Sequence, residues 1–139
     1  MYDRILITLD ATDVDKTILE HIRPLARIMH SKLLLLHVAD GWAARLHGAD
    51  AVSPEVSHDK AYLDRVQAEL AGEGFDVESH LAFGDPPTEI VRWVAERGCD
   101  LIAMSTHGHR FLADLVLGST ANKVRHRVTV PVLLLKADS

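Results

Sequence analysis

Apolar residues recur along the chain in two rhythms. Ile5 to Leu9, Leu33 to Val38, Leu101 to Met104 and Val130 to Leu135 are short, almost uninterrupted apolar runs, the pattern of strands buried on both faces of a parallel sheet. Phe75, Val77, Ser79, Leu81 and Phe83 instead alternate with Asp76, Glu78 and His80, a period of two that predicts a half-exposed strand at a sheet edge. Helical spacing links Ile18, Ile22, Leu25 and Met29, then Leu63, Val66 and Leu70, then Ile90, Val91 and Val94. A last helix opens at Ser119-Thr120, so the chain reads β-α-β-α-β-α-β-α-β.

Local punctuation agrees with this reading. Asp85 caps the third helix with Pro86 in its first turn, and Gly98 ends it. Pro24 falls inside the first helix, where it removes one backbone bond and predicts a bend. Residues 40 to 54 form a loop longer than the roughly two to six residues usual in such units, which predicts a functional or mobile segment.

Alternating strands and helices imply an α/β fold: one domain over residues 1–139, an open five-stranded parallel sheet with helices on both faces. In such sheets the ligand crevice lies beyond the carboxyl ends of the strands, where strand order reverses. The candidate ligand segments are therefore Asp10 to Asp13, Val38 to Asp40, Gly84-Asp85 and Ser105 to Gly108.

Composition narrows the function. The 139 residues are 47% hydrophobic and 25% charged, which fits one folded domain and argues against disorder. Fifteen Lys and Arg against twenty Asp and Glu give a net charge of −5, without the basic footprint that nucleic acid requires. No apolar run approaches the roughly 18 to 20 residues of a membrane span. Cys99 has no second cysteine to pair with, and Tyr2 to Ile5 show no signal-peptide core, so the expected compartment is cytoplasmic.

The chemistry concentrates in Ser105 to Val124. Gly108 and Gly118 let backbone approach a ligand, and Ser119-Thr120 begins a helix whose free N–H groups and positive dipole end suit an anion. Their hydroxyls add donors, and Arg110, His109 or Lys123 adds charge. The bland reading is a Gly118 turn with Ser119 as a helix cap. The spacing is not that of a P-loop, and no G-x-G-x-x-G follows the first strand. At the end of that strand, Asp10 is either a ligand acceptor or, with Asp13, a cap for the following helix.

Five segments taken in order, Met1 to Thr12, Leu33-Leu-Leu-Leu-His-Val-Ala-Asp40, Asp100-Leu-Ile-Ala-Met-Ser-Thr-His-Gly108, Leu117-Gly-Ser-Thr120 and Val130-Pro-Val-Leu-Leu-Leu-Lys136, resemble the universal stress protein family over essentially the whole chain. The resemblance implies a Rossmann-like sheet of the adenine nucleotide alpha hydrolase-like type. The ATP-binding branch carries Gly-x2-Gly-x9-Gly-Ser/Thr; Gly108, Gly118 and Ser119 match, while Ser105 stands at the first glycine, where its Cβ either crowds the ligand or is tolerated if φ is negative. Carried over, the resemblance implies that Asp10, with Ala11 and Thr12 beside it, accepts from the adenine amino group while the Val38 backbone reads the base edge. Met104 and Ser105 then lie along the ribose, and Gly108, Gly118, Ser119 and Thr120 hold the phosphates, with His109 and Arg110 close by. The implied ligand is ATP, or ADP or AMP, with any Mg²⁺ held by phosphates and water. The implied assembly is a homodimer through Val130 to Lys136, which agrees with an apolar last strand left open at the sheet edge.

Other residues point to bland roles. His107 and His109 lack further ligands for a metal. Lys123, Arg125 and Arg127 complete a helix dipole, Trp93 packs, and Cys99 is an inert core thiol. Trp42 lies in the long loop, where it covers either the ligand or a partner. No Walker Lys and no Ser-His-Asp arrangement is present, so the expected function is a nucleotide-binding regulator with at most slow ATP hydrolysis, reporting to an unidentified partner by ordering residues 40 to 54. The competing reading is a nucleotide-free dimeric interaction module, motivated by Ser105.

Overall fold

The computed structural model describes residues 1–39, 54–106 and 118–136. Five strands, β1 (Arg4–Thr8), β2 (Lys32–Ala39), β3 (Val77–Phe83), β4 (Leu101–Ser105) and β5 (Val132–Leu135), form one sheet in the order β3-β2-β1-β4-β5, every pair parallel. The helices are α1 (Asp15–Met29), α2 (Pro54–Gly72), α3 (Pro86–Arg97) and α4 (Ser119–Arg127). The predicted element order and parallel sheet are what the structure has. Pro54, predicted as the end of a loop, instead opens α2; residues 40 to 53, with Trp42, lie outside the described residues.

Alternation along each strand sorts the core into two layers. Ile5, Ile7, Leu33, Leu35, Leu101 and Ala103 pack with Ile18 and Ile22 of α1 and Leu63 and Leu70 of α2. Leu6, Leu34, Leu36, Ile102 and Met104 face the other way, onto Ile90 and Val94 of α3 and Val124 of α4. Strands covered on both faces have no polar side to show, which is why β1, β2 and β4 read as continuous apolar runs. β3 lies at one edge and is half-buried along nearly its whole length, as its alternation predicts, and β5 lies at the other.

Asp85 accepts from the Thr88 N–H with Pro86 in the first turn of α3, and left-handed Gly98 closes that helix. α1 runs unbroken through Pro24. Neither Asp10 nor Asp13 caps α1: Val14 occupies the cap position without a side-chain bond, and the carbonyls of Thr12 and Asp13 accept from Asp15 and Lys16. Backbone turns already meet the first N–H groups, so no side chain is needed there. Cys99 is buried, and burial pushes its thiol up to about 11. Trp93 packs beside the α3–α4 core with its ring centroid 4.5 Å from that of His80. No helix among the described residues is long and apolar enough to cross a membrane.

Candidate functional site

Strand order reverses between β1 and β4, whose following helices depart to opposite faces of the sheet and leave a crevice at the carboxyl ends. A cavity of about 530 Å³ opens there, walled by the ends of β1, β2 and β4 and by the start of α4. Asp10, Ala11, Thr12, Val38, Met104, Ser105, Gly118, Ser119 and Thr120 all line it. Gly108, His109 and Arg110 lie outside the described residues.

The β1 end of the cavity is a loop held from behind. Ala11 has φ +61°, a left-handed conformation that a residue with a Cβ adopts only when its surroundings enforce it. The enforcing group is Asp15, 1% exposed, whose two carboxylate oxygens accept from the N–H groups of Asp10 at 2.8 Å and Ala11 at 2.9 Å. Tyr62 of α2 donates its hydroxyl to the same carboxylate at 2.6 Å. Burial raises the Asp15 pKa above the ordinary carboxylate range despite these three donors, and burial together with Asp15 raises that of the Tyr62 phenol. Consecutive N–H groups beside a left-handed residue make the kind of concavity that takes an anion, and here the chain's own carboxylate fills it. Asp10 remains at the cavity wall, accepting from the Thr12 hydroxyl at 3.2 Å.

A second polar chain runs beside it. His37, on β2, has Nδ1 2.7 Å from the Leu9 carbonyl and Nε2 3.1 Å from Asp59 Oδ2 of α2. The carbonyl can only accept, so Nδ1 carries a hydrogen. His37 and Asp59 both line the cavity.

Ser105 ends β4, paired with Leu135, and the positive-φ residues other than glycine among the described ones are Ala11 and His30. The backbone at Ser105 therefore accepts a Cβ without strain. Its Oγ is buried with no hydrogen-bond partner among the described residues.

The opposite end of the cavity is built differently. Gly118, not Ser119, is the cap residue of α4; its N–H bonds the Thr106 carbonyl at 2.6 Å and its own carbonyl accepts from Asn122. Ser119 thus sits at the first helical position, exposed. Helix geometry leaves the N–H groups of Ser119, Thr120 and Ala121 without intrahelical partners, at the positive end of the dipole. Arg125, His126 and Arg127 occupy the last turn, where they complement the other end.

Asp15, His37, Asp59 and Tyr62 are the functional-site residues that the sequence reading missed. His37 had a signal, a polar residue inside an otherwise apolar strand. Asp15 resembles an ordinary acidic residue of a helix's first turn, and nothing local marks Asp59 or Tyr62. Among the described residues no three His, Cys, Asp or Glu side chains converge as a metal site.

Comparison with known proteins fits this geometry. Residues 1–136 match the sequence model of the Universal stress protein family. The universal stress protein MJ0577 of Methanocaldococcus jannaschii is 26% identical over 155 residues, covering 98% of this chain and 96% of its own. The solved structure of MJ0577 superposes with a TM-score of 0.82, covering 100% of this chain and 99% of that one. Two further structures share the fold at lower identity: a universal stress protein in complex with cAMP, with a TM-score of 0.74, 20% identity and 99% and 98% of the two chains covered, and one from Archaeoglobus fulgidus in complex with dAMP, with a TM-score of 0.74, 23% identity and 97% and 98% covered.

Proposed function

The chain belongs to the universal stress protein family, and from that premise we propose that its cavity binds an adenine nucleotide, ATP foremost, as a regulatory module. The observation that carries this reading is the opposite chemistry of the two cavity ends. Asp10, Asp15 and Asp59 line one end, where the backbone donors of Asp10 and Ala11 are already taken by Asp15. A phosphate is repelled there. The N–H groups opening α4 lie at the other end and attract it. A nucleotide therefore lies with its phosphates on Gly118, Ser119 and Thr120 and its base toward Val38 and Asp10, whose carboxylate suits an exocyclic amine. Ser105 and Met104 lie between, against the sugar. Gly108, His109 and Arg110 extend the phosphate end in this reading.

Mg²⁺ would be held by phosphate oxygens and water, supplying charge neutralisation. Phosphoryl transfer needs a positioned nucleophile as well as a cationic clamp; Arg110, which this reading gives to the phosphates, has no Walker Lys beside it and no Ser-His-Asp arrangement in the sequence to supply the nucleophile. The function is accordingly binding, with at most slow hydrolysis. Self-association uses β5, an edge strand whose four residues are all partly exposed, so that pairing with a second copy over residues 130 to 136 covers it.

Calorimetry on nucleotide-free protein tests the reading, with ATP, ADP and AMP titrated separately. Binding tighter than about millimolar (about −4 kcal/mol) is expected for ATP. No heat with any of the three, together with no nucleotide released from freshly purified protein, would sink it and leave a dimeric interaction module as the function.

A further inference from the structure

We propose that α2 is the arm that shapes the base end of the cavity, with Asp59 and Tyr62 as positioning residues acting through His37 and Asp15. Asp59 and Tyr62 are three residues apart on α2 and so project from one face of the helix. Each begins a relay to the same short piece of backbone. Asp59 reaches the Leu9 carbonyl through His37, with steps of 3.1 and 2.7 Å. Tyr62 reaches the N–H groups of Asp10 and Ala11 through Asp15, with steps of 2.6, 2.8 and 2.9 Å. Three successive backbone polar groups, one carbonyl and two N–H, are thereby held by side chains anchored on one helix.

This arrangement decides where Asp10 points. A left-handed Ala11 is costly by itself, on the order of 1 to 3 kcal/mol, and persists only where its surroundings over-determine it. The Asp15 and His37 relays are what over-determine it. A binding group is useful only when its support is rigid, and the support here is anchored on Asp59 and Tyr62, far along the chain from Asp10. Asp59, His37 and Asp15 also line the cavity, whereas Tyr62 does not. Tyr62 therefore reaches the ligand only through Asp15, which makes it the cleanest probe.

The proposal rests on the nucleotide reading, and its test separates the two. Tyr62→Phe keeps the ring that packs against the core and removes only the hydroxyl; Asp59→Ala removes the group that meets His37 Nε2 and so breaks the second relay. Affinities for ATP, adenosine and inorganic tripolyphosphate are measured for wild type and both variants. A positioning role predicts adenosine and ATP affinities lowered about five- to tenfold, as expected for the loss of one ordinary hydrogen bond, with tripolyphosphate unmoved. General destabilisation would not distinguish the two halves of the ligand. Amide hydrogen exchange adds a ligand-free readout: Asp10 and Ala11 should exchange at least about tenfold faster in Tyr62→Phe while β2 and β4 stay protected, the mark of a local opening. Variants that keep wild-type adenosine affinity, that lose adenosine and tripolyphosphate together, or that leave Asp10 and Ala11 exchange unchanged overturn the positioning role alone. Wild-type protein that binds neither ATP nor adenosine overturns the nucleotide reading and, with it, this one.

Discussion

Two carboxylates bracket β1. Before the strand, Asp100 accepts from the N–H groups of Asp3 at 2.9 Å and Arg4 at 3.0 Å; after it, Asp15 accepts from those of Asp10 at 2.8 Å and Ala11 at 2.9 Å. The hydrogen bonds are nearly the same, yet the acidities move in opposite directions. Burial is the largest single influence on each and raises both. At half-exposed Asp100 the backbone N–H groups and the N-terminal ammonium together outweigh it, and the pKa falls below the ordinary range. At buried Asp15 a third donor and two N–H groups do not suffice, with Asp10 adding repulsion, and the pKa rises. The difference teaches that geometry alone does not set what a clamp contributes. The Asp100 clamp favours the charged form, whereas at Asp15 burial outweighs the donors and disfavours it, at the loop that walls the cavity.

Removing the two clamps should give unequal losses. Asp15→Ala leaves two backbone donors and the Tyr62 hydroxyl without their acceptor, and is expected to cost about 3 kcal/mol. Asp100→Ala, whose freed N–H groups reach water, is expected to cost about 1 kcal/mol. Urea unfolding of both variants measures the gap; equal losses would break the comparison.

The acidic end can also be set against the start of α4. Ser119→Asp puts a carboxylate at an exposed first helical position, where the dipole favours it by about 0.3 to 1 kcal/mol, but where a bound phosphate would meet like charge. ATP affinity should fall at least about tenfold, or about 1.4 kcal/mol, with the melting temperature unchanged or slightly raised. A variant that binds ATP like wild type would remove the phosphates from α4. Between the two ends, Ser105→Ala deletes a buried hydroxyl that lacks a partner among the described residues. Unlike the loss of Asp15, this change should leave stability unchanged or raise it by up to about 1 kcal/mol, as thermal melting of ligand-free protein will show.

The smallest effect lies in pH, and it separates the clamps by sign. The folded pKa of Asp15 is raised, so the stability it contributes is fully present below about pH 4, its unfolded value, and is lost as pH rises through the folded value. The folded pKa of Asp100 is lowered, so its contribution is present above about pH 4 and is lost as pH falls through the folded value. With rising pH the deficit of Asp15→Asn should therefore narrow and that of Asp100→Asn should widen. Unfolding free energies of the two variants across the acid limb check this; parallel slopes would mean that burial does not distinguish the clamps.

Much of the fold was legible because its signals are local. Apolar runs of strand length, helical spacing between them, and the cap of α3 at Asp85 with its stop at Gly98 each depend on residues a few positions apart. The alternative cap readings, which failed, also rested on local signals. Asp10 and Asp13 have the composition of a cap, but the Thr12 and Asp13 carbonyls met the first N–H groups of α1 before any side chain was needed. Ser119 has that composition too, yet the cap falls one residue earlier, on Gly118. Nine of the predicted site residues came to one cavity because each stands at a strand end or helix start on the same edge of the sheet.

By itself, then, the sequence determined the elements, their order, the two-sided burial of the central strands and which strand ends to inspect, since hydrophobic period and short-range capping are written in neighbouring residues. Tertiary structure alone decided that β1 stands between β2 and β4, that Ser105 carries its Cβ without strain, and that Asp59 and Tyr62 hold a loop some fifty residues before them. The physical reason is that strand order and the docking of α2 are set by how whole layers bury their apolar faces, and only that burial brings distant polar groups within hydrogen-bond reach.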